Sequence, residues 1–316
     1  MLIASCPLRI SLVGGSTDHP YFLQKYKRGS VISFPCDLKV YVSIHEDSFG
    51  ANKIDKNYVI NYSKKEKVKK IKNIKNELIR FCFEKLNPEY INCSLVSDVY
   101  STGSGLATSS AYLLALIKVI CVHKNIMIND FEICKLAEEI EKKFNPLVGQ
   151  QDFYGSLPSF KKINFIFDED PNINFLSSSI FNHFDMYLIH TGVSRKSSVI
   201  LNSINVDKCL PLLKDVEDLE YSIKKNDINF FHHIINRSWE NKKNTSPLIC
   251  ENKNLINLDL KINSDKNILS RKLCGAGNGG YFLIFCEKNK EDHIYNTYRA
   301  SKKINISNSG IEVHKI

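Results

Sequence analysis

Residues 101–111 form a segment rich in glycine and hydroxyl side chains, with the sequence S-T-G-S-G-L-A-T-S-S-A. Glycine allows tight turns that aim several backbone N–H groups at one point. The apolar run that follows is typical of a buried helix, and the N-terminal end of a helix attracts anions. We therefore predict a polyphosphate site whose hydroxyls can reach a bound Mg²⁺. The alternative is a polar turn that only caps the helix, and the Gly-Lys-Ser/Thr ending of a Walker loop is missing.

Strands and helices occur in both halves of the chain, without a regular strand–helix alternation. Strands are predicted at residues 2–13, 31–46, 58–63, 90–98, 160–167, 185–191, 281–286 and 311–316. Helices are predicted at residues 71–86, 111–124, 130–143, 196–205, 210–224 and 227–243, with Asp130 as an N-cap. This mixed order predicts an α+β protein with two lobes.

The composition is that of a globular protein, since 43% of the 316 residues are hydrophobic and 24% are charged. No stretch approaches the ~20 apolar residues of a membrane span. The first 15 residues carry one basic residue and reach glycine too early for a secretory signal, which predicts a cytoplasmic protein without a membrane partner. The 10 cysteines are scattered without a C-x-x-C pair, so we expect reduced thiols in the core.

The formal net charge of +9 raises the question of an acidic partner. Much of this charge comes from residues 64–75, which carry 7 lysines. A nucleic-acid surface would mix arginine and aromatic side chains with lysine, and this segment has no aromatic residue. Apolar residues recur at helical spacing from Ile71 to Ile79, which predicts a solvated helix face instead. We therefore expect no nucleic-acid partner; strongly salt-dependent binding of RNA or DNA would contradict this.

Three motifs resemble those of the GHMP kinases and occur in the same order. They are P-L-R-I-S-L-V-G-G-S-T-D at residues 7–18, G-S-G-L-A-T-S-S-A at residues 103–111 and K-L-C-G-A-G-N-G-G-Y at residues 272–281. Together they span nearly the whole chain, so the combination is far more specific than any one motif. The resemblance implies an ATP-dependent small-molecule kinase.

Within that superfamily the chain most resembles the D-glycero-D-manno-heptose 7-phosphate kinases. Their G-G-G-T-D, K-Q-D-Q-Y and T-G-x-x-R segments are similar to residues 14–18, 150–154 and 191–195 of this chain. The Ser-Trp-Glu segment at 238–240 is also similar. The resemblance implies transfer of the γ-phosphoryl group of ATP to a hydroxyl, the anomeric one, of a heptose 7-phosphate.

The resemblance also implies a fold. Residues 1–180 would form an N-terminal lobe like domain 2 of ribosomal protein S5, with a left-handed βαβ unit and the phosphate loop. Residues 181–316 would form a ferredoxin-like C-terminal lobe. The oligomeric state is left open, with a homodimer as one option.

Catalytic and nucleotide-binding roles follow from the same resemblance. Asp152 would accept the proton of the attacking hydroxyl, since phosphoryl transfer needs mainly positioning and charge neutralisation. Arg9 would steady that carboxylate or contact the γ-phosphate. The alternatives are a turn cap for Asp152 and a structural salt bridge for Arg9. ATP would be held by Ser101, Gly103, Ser104, Gly105, Leu106, Ala107, Thr108, Ser109 and Ser110.

The metal ligands implied by the resemblance are Ser110 and Glu141. A hydroxyl, a carboxylate and phosphate oxygens together are the hard ligands that Mg²⁺ prefers. Glu138 and Glu139 lie on the same predicted helix and are the alternatives.

Substrate contacts are implied for Thr17, Asp18, Gly192, Arg195 and Gly277. Asp18 would accept hydrogen bonds from sugar hydroxyls. Arg195 would hold a substrate phosphate through a bidentate pair, or would instead cap a helix. The glycines of the third motif are expected to form a tight loop against the active site, with a plain turn as the alternative.

The chain departs from the family pattern at several positions. Ala107 replaces a glycine of the phosphate loop, Thr108 replaces a serine, and the proline that commonly precedes the loop is absent. Gln150 and Phe153 replace a lysine and a glutamine, and Asn278 interrupts the third glycine run. Alanine at residue 107 would be tolerated if the backbone there has negative φ.

Two other functions stay open at this stage. A kinase of an unphosphorylated sugar, such as fucose or galactose, is favoured if Arg195 and nearby basic groups make no phosphate pocket. A non-catalytic paralogue that binds a sugar or a nucleotide is suggested by the altered phosphate loop. The retained Asp152, Glu141 and Ser110 argue against that second reading.

Overall fold

The computed structural model of the chain describes residues 1–100, 103–194 and 197–316. In this part the strands are β1 (Leu2–Val13), β2 (Arg28–His45), β3 (Tyr58–Asn61), β4 (Lys65–Val68), β5 (Asn92–Ser97), β6 (Lys161–Ile166), β7 (Asn172–Phe175), β8 (Asp185–His190), β9 (Ile268–Leu273), β10 (Tyr281–Cys286), β11 (Ser301–Ile304) and β12 (Glu312–Lys315). The α-helices are α1 (Pro20–Tyr26), α2 (Ala51–Ile54), α3 (Glu77–Leu86), α4 (Thr108–His123), α5 (Asp130–Glu141), α6 (Gln151–Tyr154), α7 (Ser197–Ser203), α8 (Leu210–Lys225), α9 (Ile228–Asn244), α10 (Lys253–Ser264) and α11 (Glu291–Thr297). Short 3₁₀ helices cover Ile71–Asn73, Ser179–His183, Val206–Cys209 and Pro247–Cys250.

Two sheets divide the described strands. The larger sheet has the order β12–β1–β2–β5–β3–β4, and β6 pairs with β2 and with β7. The smaller sheet has the antiparallel order β11–β8–β10–β9. Numbered along the C-terminal half, this order is 4-1-3-2, which is the order of a ferredoxin-like sheet. The predicted α+β class and ferredoxin-like C-terminal sheet are confirmed.

The two ends of the chain lie side by side on one edge of the larger sheet. The predicted boundary at residue 180 falls between β7 and β8, where the chain leaves the larger sheet for the smaller one. The chain then returns, because residues 312–315 of β12 pair antiparallel with residues 2–5 of β1. The N-terminal amine of Met1 also donates to the carbonyl oxygen of Ile316 at 3.0 Å.

Helix α4 lies in the larger hydrophobic core and packs on β1 and β2. It is apolar on nearly every side, which fits a helix enclosed by other elements. Leu113, Leu114, Leu116 and Ile117 have no exposed surface. Burying one such side chain contributes about 2 kcal/mol. These residues therefore fix the position of α4, and with it the start of the helix at Thr108, next to the phosphate loop.

The lysine-rich segment 64–75 is not a helix face, and that prediction is wrong. Lys65–Val68 form β4, an edge strand paired with β3, and α3 begins only after the segment. The buried Glu66 explains the difference, because its carboxylate accepts hydrogen bonds from Tyr62 Oη at 2.8 Å and from Lys75 N–H at 2.7 Å. The lysines beside it face solvent and protect this edge from pairing with another chain.

The remaining comparisons with the sequence predictions concern a helix cap, the missed elements, the cysteines and membrane spans. Helix α5 is capped by Asn129 rather than Asp130: Asn129 and Glu132 exchange side-chain-to-backbone hydrogen bonds of 2.9 Å in a capping box. The predictions missed the strands β4, β7, β9 and β11 and the helices α1, α2, α6, α10 and α11. The cysteines are all free thiols, and each is buried except Cys250, which is partly exposed. None of the described helices is both long enough and apolar enough to cross a membrane.

Candidate active site

A cavity of about 360 Å³ brings the predicted phosphate loop and the predicted base together. Its walls include residues of the loop after β1 (13–16), the phosphate loop (103–110) and the segment 149–152. Helix α9 and residues from 272–276 close it on the side of the C-terminal half. Segments far apart in the sequence thus face one space.

Arg9 connects the base to the phosphate loop. Its Nε donates to Asp152 Oδ1 at 3.1 Å, and its Nη2 donates to the same oxygen. Its Nη1 donates to the carbonyl oxygen of Gly105 at 3.0 Å. The side chain of Arg9 is 4% exposed and that of Asp152 is 26% exposed, so the carboxylate keeps access to the cavity while its partner is buried. The salt bridge considered for Arg9 is therefore present, and its partner is the predicted base itself.

The phosphate loop turns back on itself before α4 begins. Gly103 and Gly105 have φ angles of +68° and +77°, which glycine adopts without strain. Ser104 Oγ lies 2.6 Å from Thr108 Oγ1 and accepts the N–H of Leu106 at 3.2 Å. The Leu106 side chain is buried and anchors the loop. These contacts set the N-terminal end of α4 at the cavity, an arrangement suited to an anion.

Ala107 does not have the negative φ under which alanine would be tolerated. Its φ is +57° and its ψ is +36°, in the left-handed region. Two other positions where the motifs carry glycine, Ser16 and Asn278, have φ angles of +86° and +55°. This conformation costs a residue with a Cβ about 1 kcal/mol, and asparagine tolerates it best. The three loops thus have the backbone shape of a glycine motif although they lack glycine at these positions.

The loop of residues 275–280 packs against the phosphate loop, as predicted. A Cβ added to Gly280 would lie 2.3 Å from the carbonyl oxygen of Ser104. Gly275 and Ala276 line the cavity. Only a glycine at residue 280 lets the two loops approach this closely.

Three of the residues predicted to contact the substrate lie elsewhere. A Cβ on Gly277 would lie 2.9 Å from Ile249 Cα, so this glycine serves close packing away from the cavity lining. Thr17 is fully buried, and its hydroxyl is engaged with the carbonyl oxygen and the N–H of Ser30 at 2.8 and 2.9 Å. Gly192 is exposed and does not line the cavity. The geometry gives Thr17 and Gly277 structural roles instead.

Two other predicted residues, Ser101 and Arg195, lie outside the described residues. Ser109, by contrast, is exposed in the first turn of α4 and lines the cavity. The predicted roles of Ser101 and Arg195 in binding ATP and a substrate phosphate stay predictions.

Ser110 and Glu141 meet in the cavity wall. Ser110 Oγ donates to Glu141 Oε2 at 2.7 Å, and Asn145 Nδ2 donates to Oε1 at 3.4 Å. Burial raises the pKa of Glu141 to about 7. A buried carboxylate paired with a hydroxyl offers two hard oxygen ligands to a cation.

The other two glutamates of α5 are engaged differently. Glu138 accepts hydrogen bonds from Gln150 Nε2 at 3.2 and 3.3 Å, outside the cavity lining. Glu139 pairs with Lys85 on the surface at 2.8 Å. Of the three candidates, the geometry favours Glu141. Within the described ranges, no cluster of three or more His, Cys, Asp or Glu side chains could hold a metal ion.

Asp18 lies beside the predicted base. Its Oδ2 accepts the N–H of Gln151 at 3.0 Å, and its Oδ1 accepts Gln151 Nε2 at 2.9 Å. A Cβ on Gly149 would lie 2.0 Å from Asp18 Oδ2, so a larger residue at position 149 would displace the Asp18 carboxylate. Burial, and then the charge of Asp152, raise the pKa of Asp18 to about 6. Gln151 Oε1 is buried and lacks a hydrogen-bond partner among the described residues, so it could accept one from a ligand.

Two lysines in the cavity wall were missed by sequence reasoning. Lys242 of α9 donates from Nζ to Ser16 Oγ. Lys272 of β9 donates to the carbonyl oxygens of Ser11 and Leu12 at 2.5 and 2.7 Å, and burial lowers its pKa to about 7. Lys272 is the first residue of the third motif, but no role was predicted for it, and no local signal marks Lys242. The fold brings both lysines opposite the first motif.

Comparison with known proteins identifies the class. The family described as GHMP kinases N terminal domain matches residues 70–157, which include the phosphate loop, Glu141 and Asp152. Over these residues the chain carries a GHMP kinase N-terminal domain, and the chain is an ATP-dependent kinase, as its motifs predict.

Individual relatives agree with this class. The chain is 26% identical to D-glycero-alpha-D-manno-heptose 7-phosphate kinase of Campylobacter jejuni subsp. jejuni over 324 aligned positions, which cover 94% of the chain and 92% of the relative. A solved D-glycero-D-manno-heptose 1-phosphate kinase from Bacteriodes thetaiotaomicron has a TM-score of 0.79 at 18% identity, covering 100% of this chain and 99% of that one. Lactococcus lactis galactokinase complexed with galactose gives 0.73 at 12% identity, covering 100% and 95%. These structures confirm the predicted GHMP kinase fold.

Proposed function

We propose that the chain transfers the γ-phosphoryl group of ATP to the anomeric hydroxyl of a heptose 7-phosphate. The observation that carries this proposal is Arg9, which is hydrogen-bonded both to Asp152 and to Gly105 of the phosphate loop. A base and a loop that holds the terminal phosphate must lie close together for in-line transfer, and here one guanidinium spans the gap. The relative that is 26% identical and is named a heptose 7-phosphate kinase supports the choice of sugar.

Asp152 is the base in this proposal. Its carboxylate takes the proton of the sugar hydroxyl while the hydroxyl oxygen forms a bond to the γ-phosphorus. The bond from that phosphorus to the β–γ bridging oxygen breaks, which gives a sugar bisphosphate and ADP. Both Arg9 contacts fall on Oδ1, which leaves Oδ2 to take the proton. Solvent then removes the proton from Asp152 before the next turnover.

Ser110 and Glu141 would hold Mg²⁺. Their oxygens lie 2.7 Å apart at the start of α4, and Mg²⁺ takes its remaining ligands from phosphates and water. When bound, the ion would neutralise charge on the phosphate oxygens of ATP. Because burial raises the pKa of Glu141 to about 7, a proton competes with the cation, and metal affinity should increase as the pH rises through about 7.

The sugar would lie between Asp152 and α9. Asp18 and the unpartnered Gln151 Oε1 offer acceptors to its hydroxyls. Lys242, which Ser16 Oγ holds at the cavity wall, offers a cation to its phosphate. Arg195 would be a second phosphate ligand.

We further propose that residues 1–180 act as the nucleotide-binding lobe and residues 181–316 as the lobe that completes the sugar site. We place the reaction in the cytoplasm, where ATP is available and the 10 thiols would stay reduced.

An ADP-release assay over a sugar panel tests the substrate. The panel contains D-glycero-D-manno-heptose 7-phosphate, the unphosphorylated heptose, galactose and fucose. We expect kcat/KM for the phosphorylated heptose to exceed that for the free heptose by about 100-fold, because a charge-assisted phosphate contact contributes about 2–3 kcal/mol. Phosphorus NMR of the product should show a second, acid-labile phosphate ester.

Asp152→Asn is the matched control for the chemistry. It should lower kcat by about 10²–10⁴-fold without loss of ATP binding, because it keeps the size of the side chain and removes the proton acceptor. An unchanged kcat would refute the base. Equal turnover of free and phosphorylated sugars would favour a kinase of unphosphorylated sugars, and ATP binding without turnover of any sugar would favour a non-catalytic paralogue.

A further inference from the structure

Lys161, the first residue of β6, is fully buried, and its amine lies among main-chain carbonyl oxygens. Its Nζ lies 3.1 Å from the carbonyl oxygen of Gly155, 3.5 Å from that of Pro158 and 3.0 Å from that of Ser159. It also donates to the carbonyl oxygen of Leu157. All four partners belong to the loop between α6 and β6. Burial lowers the pKa of Lys161 to about 7, and the neutral amine would still keep two donors for this loop.

The loop needs such a partner because its carbonyls point inward. Ser159 has a φ of +73°, a left-handed conformation that is uncommon for a residue with a Cβ. The last carbonyls of a helix have no partner within the helix. A buried carbonyl without a partner costs about 1–3 kcal/mol. Lys161 therefore satisfies several carbonyls of one loop with a single amine, and the shape of the loop depends on it.

The same loop is attached to the catalytic candidate. Helix α6 is four residues long, carries Asp152 and is followed by its C-cap Gly155, whose carbonyl oxygen Lys161 binds. A Cβ on Gly155 would lie 3.1 Å from Arg9 Cβ and 3.2 Å from Arg9 Cδ. Gly155 is thus held by Lys161 and lies directly against the arginine that binds the base.

We infer that Lys161 is a positioning residue for Asp152. Its amine fixes the loop after α6, and through Gly155 it fixes the placement of the Asp152 carboxylate against Arg9 and the phosphate loop. A single helical turn has little stability by itself, so α6 depends on such a tether. Lys161 does not line the cavity and would touch no substrate. This inference rests on the proposed role of Asp152 as the base.

The test compares two neighbouring lysines of β6. Lys161→Met removes the donors and keeps an apolar side chain of similar length. Lys162→Met is the control, because Lys162 is the next residue and pairs instead with Glu220 at 2.7 Å near the surface. We expect Lys161→Met to lower kcat by about 10–100-fold with KM for ATP within about twofold, since a misplacement of about 1 Å can cost 10² in rate. Lys162→Met should stay within about twofold of the wild type in both parameters.

A merely structural lysine would behave differently in a double-mutant cycle. Loss of folded enzyme lowers kcat by the same factor whether or not Asp152 is present. We therefore expect the effect of Lys161→Met to vanish in the Asp152→Asn background, with the double variant within about twofold of Asp152→Asn. An equal loss in both backgrounds would overturn the inference. So would a wild-type kcat in folded Lys161→Met.

Hydrogen exchange gives a readout that needs no turnover. Amides of residues 150–160 should exchange at least about tenfold faster in Lys161→Met, which corresponds to about 1.4 kcal/mol, while those of β8 and β10 stay unchanged. Unchanged exchange at residues 150–160 would refute the inference that Lys161 fixes the loop after α6. A wild-type kcat in Asp152→Asn would instead refute the proposed role of Asp152 as the base. The hydrogen-exchange result would still decide whether Lys161 fixes the loop after α6. If Lys161→Met does not fold, Lys161→Gln, which keeps two donors on a shorter side chain, is measured in the same way.

Discussion

The two ends of the cavity are built from different chemistry. At the end proposed to bind the nucleotide, here called the nucleotide end, main-chain groups and hydroxyls of residues 103–110 face the cavity, together with the N-terminal end of α4. At the end proposed to bind the sugar, here called the substrate end, charged side chains face the cavity, among them Asp18, Asp152 and Lys242. A main-chain site depends on backbone shape and close approach, whereas a side-chain site depends on charge. The two ends should therefore respond to different substitutions.

Two positions at the nucleotide end illustrate how selective its requirement is. Ala107 has replaced a motif glycine, yet its φ of +57° keeps the left-handed backbone. Gly280 cannot be replaced in this way, because a Cβ there would lie 2.3 Å from the carbonyl oxygen of Ser104. A lost glycine is tolerated where only φ is strained, and it is not tolerated where two backbones touch.

The largest effect is expected for Gly280→Ala. The new methyl group must push the phosphate loop away, so we expect a loss of about 3 kcal/mol in unfolding free energy and a KM for ATP raised at least about tenfold. Gly192→Ala is the control, since Gly192 also has positive φ, at +72°, but no heavy atom within 4 Å of an added Cβ. It should cost about 1 kcal/mol and leave the KM for ATP unchanged. Similar losses in both variants, measured by urea unfolding, would contradict the tight contact.

The next effect concerns charge at the substrate end. The pKa of Asp18 is about 6 in the folded chain against an ordinary value of 3.8, so between these values the folded state binds more protons than the unfolded state. This carboxyl therefore lowers stability as the pH rises from about 4 to about 6, and the cost is complete above about 6. Asp18→Asn lacks this titration. Its stability relative to the wild type should increase by about 2–3 kcal/mol between pH 4 and pH 7. A difference in urea midpoint that is independent of pH would show that Asp18 is not desolvated.

A smaller effect is expected from the cation at the same end. Lys242→Met should raise the KM for the phosphorylated sugar by about 10–100-fold, because it removes a charge-assisted contact of about 1.5–3 kcal/mol. The KM for ATP should change little, since the nucleotide end uses the main chain. Lys253→Met is the control, because Lys253 is exposed at the start of α10 and lies outside the cavity lining. Equal changes in the KM for the sugar and the KM for ATP would contradict the expected difference between the two ends.

The smallest effect is a gain in stability at the nucleotide end. Ala107→Gly should stabilise the chain by about 0.5–1 kcal/mol, because glycine adopts positive φ without strain and this gain exceeds its greater entropy when unfolded. Activity should be retained. Ala115→Gly, in the middle of α4, is the control and should destabilise by about 1 kcal/mol or more. Destabilisation by Ala107→Gly would show that the alanine methyl group has a role of its own.

The residues that could be predicted from the sequence are those that sit in contiguous motifs. Asp152, Arg9 and Ser110 each lie within a short segment whose residue types and order are informative, and the structure brings them to one cavity. The longer strands β1 and β2 and the buried helix α4 followed from apolar patterns for the same reason, since those patterns are local. Glu141 was chosen from three glutamates, and only the tertiary contacts favour it.

The residues that were missed depend on contacts between distant segments. Lys242 meets Ser16 across 226 positions of the chain, and nothing in α9 marks it. Lys161 looks like any polar residue at the start of a strand, because its burial is decided by the loop before it. The φ of Ala107 is set by closure of the phosphate loop and not by the residue itself. The lysine segment was misread because one inward Glu66 fixes a hairpin there.

The pairing of β12 with β1 has a consequence for how the protein is made. Strand β1 carries Arg9, and among the described strands β12 is the one that pairs with its outer edge, through residues 312–315. During translation this edge of β1 cannot pair with β12 until residues 312–315 have left the ribosome. A product cut short before β12 would therefore expose the unpaired backbone groups of this edge to other nascent chains, which favours aggregation.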